Sequence, residues 1–203
     1  MSVEFVRTFT AVAALAANVL TVALVVGLVA TRRSDRVREV VAQIGDNAVF
    51  LAGFVALACT AGSLYYSEVA NFIPCRFCWY QRIAMYPLVV VLLVGAFTRD
   101  VNVRRSGVIL AASGAGLAAY HYSLERGWVE DTGSCDPLAP CSAPWFWEFD
   151  FVTIAYMALS GFLLILALLA TTWVAPPAPD EREPDHVEAS LNIPSAPVEE
   201  LVP

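Results

Sequence analysis

Lysine is absent from the 203 residues, and all twelve basic side chains are arginine. Charged residues of both signs make up only 15% of the chain, and no basic stripe interleaves with aromatics, so nucleic acid is excluded as a partner. No haem-attachment motif, no flavin or nicotinamide glycine fingerprint and no iron–sulfur cysteine spacing occurs. Redox chemistry in this chain must therefore draw on cysteine and on a carrier from elsewhere. Internal repeats and low-complexity core segments are missing too, which leaves no basis for a solenoid.

What is present is mostly hydrocarbon. Hydrophobic residues make up 58% of the chain and the mean hydropathy is +0.63, against roughly 45–50% apolar residues in soluble domains. An integral membrane protein is the class this implies. A spanning helix takes about 20 mainly apolar residues, and five segments qualify: 9–30, 48–69, 79–97, 107–122 and 151–174. The first is longer than the apolar core of a signal peptide and runs directly into arginines, so it reads as a retained helix. Gly53, Gly62, Gly114 and Gly116 fall inside spans, where small residues let helices approach closely.

Arginine also orients the spans. Arg32, Arg33, Arg36 and Arg38 crowd the first connection and Arg99, Arg104 and Arg105 the third, while the alternate connections carry only Arg76, Arg82 and Arg126. The arginine-rich side is cytoplasmic by the positive-inside rule, which puts the N-terminus outside and the C-terminal tail inside. That tail holds seven of the nineteen acids, from Asp180 onward, and is rich in proline, a composition that predicts disorder and accounts for most of the net charge of -7.

Four of the five cysteines fall in the two outward connections, Cys75 and Cys78 as C-R-F-C, then Cys135 and Cys141 as C-D-P-L-A-P-C. Outside the cytoplasm such pairs serve as structural disulfides, as metal ligands or as exchanging dithiols. A thiolate is stabilised by a helix N-terminus and a nearby cation. Cys78 stands where the third apolar helix begins, and Arg82 lies one turn further on. The same arginine can equally snorkel to headgroups. The second pair sits in a loop rich in proline and acids that leads to an aromatic belt of Trp145, Phe146 and Trp147. A mobile dithiol of this kind beside a fixed one is suited to exchange through mixed disulfides. Cys59, alone among apolar neighbours, reads as packing, and Glu68 and Glu125 read as solvated at the interface. His121 lies at about the depth of Arg82, either as an interfacial histidine or as a donor to an oxygen of something bound. With no other sink for two electrons, a membrane quinone is the acceptor these residues suggest, its oxygens bonded by Arg82 and His121 beside the Cys78 sulfur.

The run from Gly62 to Leu88, with its core C-R-F-C-W-Y-Q-R-I-A-M-Y-P, the pair His121–Tyr122 and the later C-x5-C followed by aromatics, resembles the disulfide bond formation protein B (DsbB) family, and more narrowly its BdbC-type branch. The resemblance covers about residues 48–174. It implies a four-helix transmembrane bundle that reoxidises a DsbA-like, thioredoxin-fold extracytoplasmic oxidase and passes electrons to ubiquinone or menaquinone. It further implies that Cys135 forms the mixed disulfide with the oxidase, that Cys141 links transiently to Cys75, and that Cys78 is the thiolate meeting the quinone beside Arg82. Tyr80 and Gln81 carry no assigned step. The expected organisation is an extra N-terminal transmembrane helix with an arginine-rich loop (1–47), a four-helix redox domain (48–174) and a cytoplasmic acidic tail (175–203). The whole is an all-α, multi-pass protein of the cell membrane, in contact with lipid, with both cysteine pairs outside and no metal. Two alternatives stand beside it. One is a vitamin K epoxide reductase-like enzyme, in which the loop cysteines would precede the C-x-x-C. The other is a non-enzymatic membrane protein with structural bridges or a zinc site.

Overall fold

The computed structural model describes residues 2–100, 102–130, 135 and 139–174. The acidic tail lies outside the described residues, as does most of the loop around Cys135 for which mobility was expected. The described chain is all-helical: α1 (Val3–Ala30), α2 (Asp35–Leu64), α3 (Arg76–Thr98), α4 (Val103–Glu125) and α5 (Ile154–Thr171), with a π-helical turn over Tyr65–Val69 continuing α2. Four of them, α1, α2 with its π turn, α3 and α5, are long and apolar enough to cross a membrane. Together they make the chain an all-α integral membrane protein. The fifth, α4, spends its inward face on small residues, Gly107, Ala111, Gly114, Ala115 and Ala118.

All five helix starts differ from those the sequence suggests, and two of them have a legible local cause. Helix α2 begins at Asp35 rather than near residue 48, so half of the arginine-rich connection is helical. With its π turn it runs 35 residues, about 52 Å at 1.5 Å per residue against a hydrocarbon core of about 30 Å. A hydropathy window stops at charge, but a helix does not; the Asp35–Arg38 pair, 3.6 Å apart at i,i+3, suits a solvated first turn. Helix α5 starts at Ile154 rather than 151, because Phe149 and Asp150 adopt positive φ and Thr153 caps the helix by accepting the Tyr156 N–H at 3.2 Å.

Helices α2 to α5 form a bundle around Ala48, Ala52, Ala56, Leu88, Leu92, Phe162, Ile165 and Leu169. Helix α1 packs on α5 and α2 and turns most of its valines outward, as a lipid-facing helix should. Close approach relies on glycine at two of the four positions singled out. A Cβ on Gly114 would stand 2.3 Å from the Phe162 ring, and one on Gly53 2.6 Å from Leu93. Gly62 and Gly116 are different, since a Cβ on either would meet nothing within 4 Å. Cys59 does pack, pressed against Gly161, whose Cβ would lie 2.5 Å from its sulfur.

Candidate active site

The start of α3 places the first cysteine pair. Cys75 is the N-cap residue, and its Sγ accepts the backbone N–H of Cys78 at 3.3 Å, the bond an N-cap side chain makes to the third helical residue. The two sulfurs are 2.8 Å apart, and His121 on α4 brings Nε2 to 3.5 Å from Cys75 Sγ. The hydrogen bond from the Cys78 thiol, with help from His121, holds the Cys75 thiol well below the usual range despite its burial. Deprotonation is thus favoured at Cys75, where the sequence placed it at Cys78. The Cys78 thiol is the main reason, and the cap adds to it. The helix N-terminus acts on the residue whose side chain folds back over it, and that residue stands one turn earlier.

Arg82 departs from expectation in the same way. Its Nε donates to Ser63 Oγ at 3.0 Å and its Nη2 to Ser63 O at 3.1 Å, while the guanidinium lies 5.1 Å from the Trp79 ring centroid. An arginine one turn inside a membrane helix needs a compensating partner, and α2 provides it in place of the sulfur.

His121 is buried, with Nδ1 3.1 Å from Gln81 Nε2 and Nε2 3.8 Å from Glu125 Oε1. The backbone of Cys141 also hydrogen-bonds it. Glu125, expected in solvent, is buried beside it and accepts the Thr153 hydroxyl at 2.5 Å. Glu68 does lie exposed, bonded to Ser67.

Two cavities flank the dithiol. One, of about 350 Å³, is mainly apolar and lies between α1, α2, α3 and α5; Cys78, Gln81, Arg82 and Ser63 supply a polar edge, and Gly62, Met85 and Phe162 are among its apolar walls. His121 does not line it, so a histidine at the same ligand as Arg82 is not what the fold provides. The other, of about 260 Å³, is bordered by Cys75, Cys78, His121 and Glu125 under the loop residues Ala139 and Pro140. Cys78 touches both cavities, Cys75 only the second.

Cys135 and Cys141 are joined by a disulfide with Cα atoms 5.9 Å apart. Cys75, Cys141, Phe77 and Leu124 form one buried cluster against which Cys78 and Cys135 pack. The fold therefore brings both pairs to one place. It does not bring the four cysteines together as a zinc set, since the second pair is bonded to itself and the three donors within 4.8 Å of one another are Cys75, Cys78 and His121. Among the aromatics, Trp145 stacks on Phe72 at 4.9 Å and donates to Ile73 O at 3.3 Å, and Phe146 is buried near Tyr66 and Phe72. The expected interfacial belt thus pins the second loop onto the first.

Helix α1 is part of this site. Thr10, Ala14 and Ala17 line the apolar cavity, Thr10 bonds Tyr66 at 2.6 Å, Asn18 donates to Tyr156 at 2.8 Å, and Arg7 pairs with Glu148 at 3.1 Å just beyond the second cysteine pair. Removing it would take away a wall of that cavity.

Gly62 offers a clean probe. Gly62→Leu is expected to fill the cavity without a clash and to stabilise the helix by up to about 1 kcal/mol, while a ligand of the cavity loses affinity tenfold or more. Thermal unfolding and a binding titration of the same preparation check both parts.

Comparison with known proteins places residues 45–172 in the family described as disulfide bond formation protein DsbB. Similar proteins include a probable disulfide formation protein of Deinococcus radiodurans, 42% identical over 62% of this chain and 88% of its own length. Another, from Oceanobacillus iheyensis, is 38% identical over 61% of this chain and 86% of its own. Disulfide bond formation protein C of Bacillus subtilis is 40% identical over 60% and 88%. No solved structure matches the chain.

Proposed function

The chain belongs to the disulfide bond formation protein DsbB family, and from that premise we propose that it is a protein disulfide:quinone oxidoreductase that reoxidises a DsbA-like, thioredoxin-fold oxidase outside the cytoplasmic membrane. The observation that carries this reading is the position of the Cys75–Cys78 pair, between a smaller cavity beneath the loop of the Cys135–Cys141 disulfide and a larger apolar cavity edged by Arg82. Electrons enter at the loop and leave on the other side of the pair.

The partner's thiolate attacks Cys135, which is half-buried where Cys141 is 1% exposed. The mixed disulfide resolves, the partner leaves oxidised, and Cys135 and Cys141 hold its two electrons as thiols. Cys141 then attacks Cys75 of an oxidised Cys75–Cys78 pair, and Cys135 displaces Cys75 to restore the loop disulfide. The electrons now rest on Cys75 and Cys78, which are both free in the structure.

The apolar cavity suits a quinone, whose ring oxygens would be held by Arg82 and Gln81 and whose tail would lie among Met85, Phe162 and the small residues of α1. When bound, ubiquinone or menaquinone supplies the two-electron acceptor. Cys78 borders that cavity and gives up electrons as it closes the disulfide with Cys75. The metal-site reading has no comparable support, and neither does a pair of inert staples, because Cys75 and Cys78 stand as thiols beside a formed bond. We assign the redox unit to residues 48–174, with α1 completing its cavity and the acidic tail in the cytoplasm.

The side of the membrane follows from the arginine asymmetry. After mild reduction of intact cells, a membrane-impermeant thiol reagent is expected to label Cys135. Labelling that appears only after lysis would reverse the orientation. The same reduction separates a relay from staples, since an exchanging pair opens at low reductant and a structural pair resists it.

A further inference from the structure

Glu125 has no part in the electron route, yet it is among the most enclosed charged groups of the molecule, its side chain 4% exposed. One carboxylate oxygen accepts from Thr153 at 2.5 Å and the other lies 3.8 Å from His121 Nε2, which also faces Cys75 Sγ at 3.5 Å. Gln81, whose amide has both a donor and an acceptor, meets Nδ1 at 3.1 Å and can serve the imidazole with or without a proton there. These groups open on the smaller cavity, and neither His121 nor Glu125 borders the larger one. Protons and electrons therefore have separate exits from the same pair of sulfurs.

The geometry points to a proton-transfer site at His121 and Glu125, in which the carboxylate receives, through the imidazole, the proton set free when the loop thiols reduce the Cys75–Cys78 disulfide. This rests on the relay described above. In that exchange the Cys135 and Cys141 S–H bonds break, the Cys135–Cys141 disulfide forms, the Cys75–Cys78 disulfide opens, and two electrons pass to Cys75 and Cys78. Two protons leave the loop sulfurs; one is kept by the pair as the Cys78 thiol that donates to Cys75, and the other is set free. Cys141 is packed in one buried cluster with Cys75, whose Sγ lies 3.5 Å from His121 Nε2, so the freed proton appears beside Nε2, moves to Glu125 and reaches water in the smaller cavity. Thr153 fixes the carboxylate from the α5 side. The ionisable groups near Glu125 are His121 and Tyr122 on its own helix and Cys75 and Cys78 at the start of α3; among the described residues no charged side chain other than His121 pairs with it.

The test is a single-turnover experiment on the full-length protein, oxidised at both pairs and free of quinone. It is mixed with a reduced thioredoxin-fold substrate, quenched with acid and scored for thiols at each cysteine by mass, across a range of pH. Glu125→Gln is expected to slow reduction of Cys75 and Cys78 by about 10- to 100-fold, a share of what general acid–base catalysis supplies. It should also abolish the fall in rate on the acid side, because a base loses activity as pH drops through its pKa and glutamine has none to titrate. Glu125→Asp should recover part of the rate and restore the acid limb, and the first step at Cys135 should keep its rate in both variants. An unchanged rate and pH profile in Glu125→Gln would overturn the proposal, and so would an equal loss at the Cys135 step, which marks a merely structural role. Should the unaltered protein itself fail to move electrons from the loop pair to Cys75 and Cys78, it is the relay reading that falls.

Discussion

Arg82→Gln is expected to lower the rate of quinone reduction by about 10- to 100-fold, the loss of one charge-assisted hydrogen bond worth roughly 1.5–3 kcal/mol, while exchange between Cys135 and the partner continues. Ser63 holds the guanidinium from α2 through two bonds of 3.0 and 3.1 Å and so presents the charge at the edge of the apolar cavity. Oxygens that gain electrons there gain negative charge, and a fixed cation stabilises that gain more than it stabilises the oxidised ligand. Lysine should rescue only partly, because a point charge on a flexible stem cannot donate to Ser63 and to a ligand with the fork of guanidinium. Steady-state reduction of a soluble quinone analogue, with affinity measured separately, gives the answer. Unchanged affinity and turnover in a folded Arg82→Gln protein would make the arginine an anchor between α2 and α3 and move the quinone elsewhere.

The second large effect concerns the order of the loop cysteines. Cys141→Ser is expected to trap a covalent adduct with the thioredoxin-fold partner through Cys135, and Cys135→Ser to form none, with turnover in both at background. Burial gives the physical reason: Cys141 is 1% exposed and packed with Cys75 and Leu124, so a protein-sized partner reaches Cys135 first. Non-reducing electrophoresis with a monothiol variant of the partner distinguishes the two. The reverse pattern exchanges the roles and would require the loop to open before the first step.

What could be read in the sequence was local. The spans follow from apolar runs, and Cys75, Cys78 and Arg82 fall within the first two turns of one helix, so a spacing of three to seven residues suffices to find them. The partners that give those residues their state lie far off in the chain. Ser63 is 19 residues from Arg82, Thr153 is 28 from Glu125, and Glu148 is 141 from Arg7. No period in a single sequence reports contacts between helices at such separations. Glu125 illustrates the cost, since a carboxylate near a helix end reads as solvated until α5 is seen to close over it. The deprotonation favoured at Cys75 rather than Cys78 has a more local cause, the hydrogen bond from the Cys78 thiol three residues on. The role of α1 was hidden in another way: its residues precede the family match at 45–172, yet they form a wall of the cavity that the matched residues leave open.

The most direct measurement mixes the purified protein with a reduced thioredoxin-fold substrate and a quinone analogue and follows quinone absorbance. The account predicts loss of the oxidised quinone band in step with substrate disulfide, one for one, and no loss when either Cys78 or Cys141 is replaced by serine. Bleaching that persists in Cys78→Ser, or substrate oxidation with no change in the quinone, would contradict it.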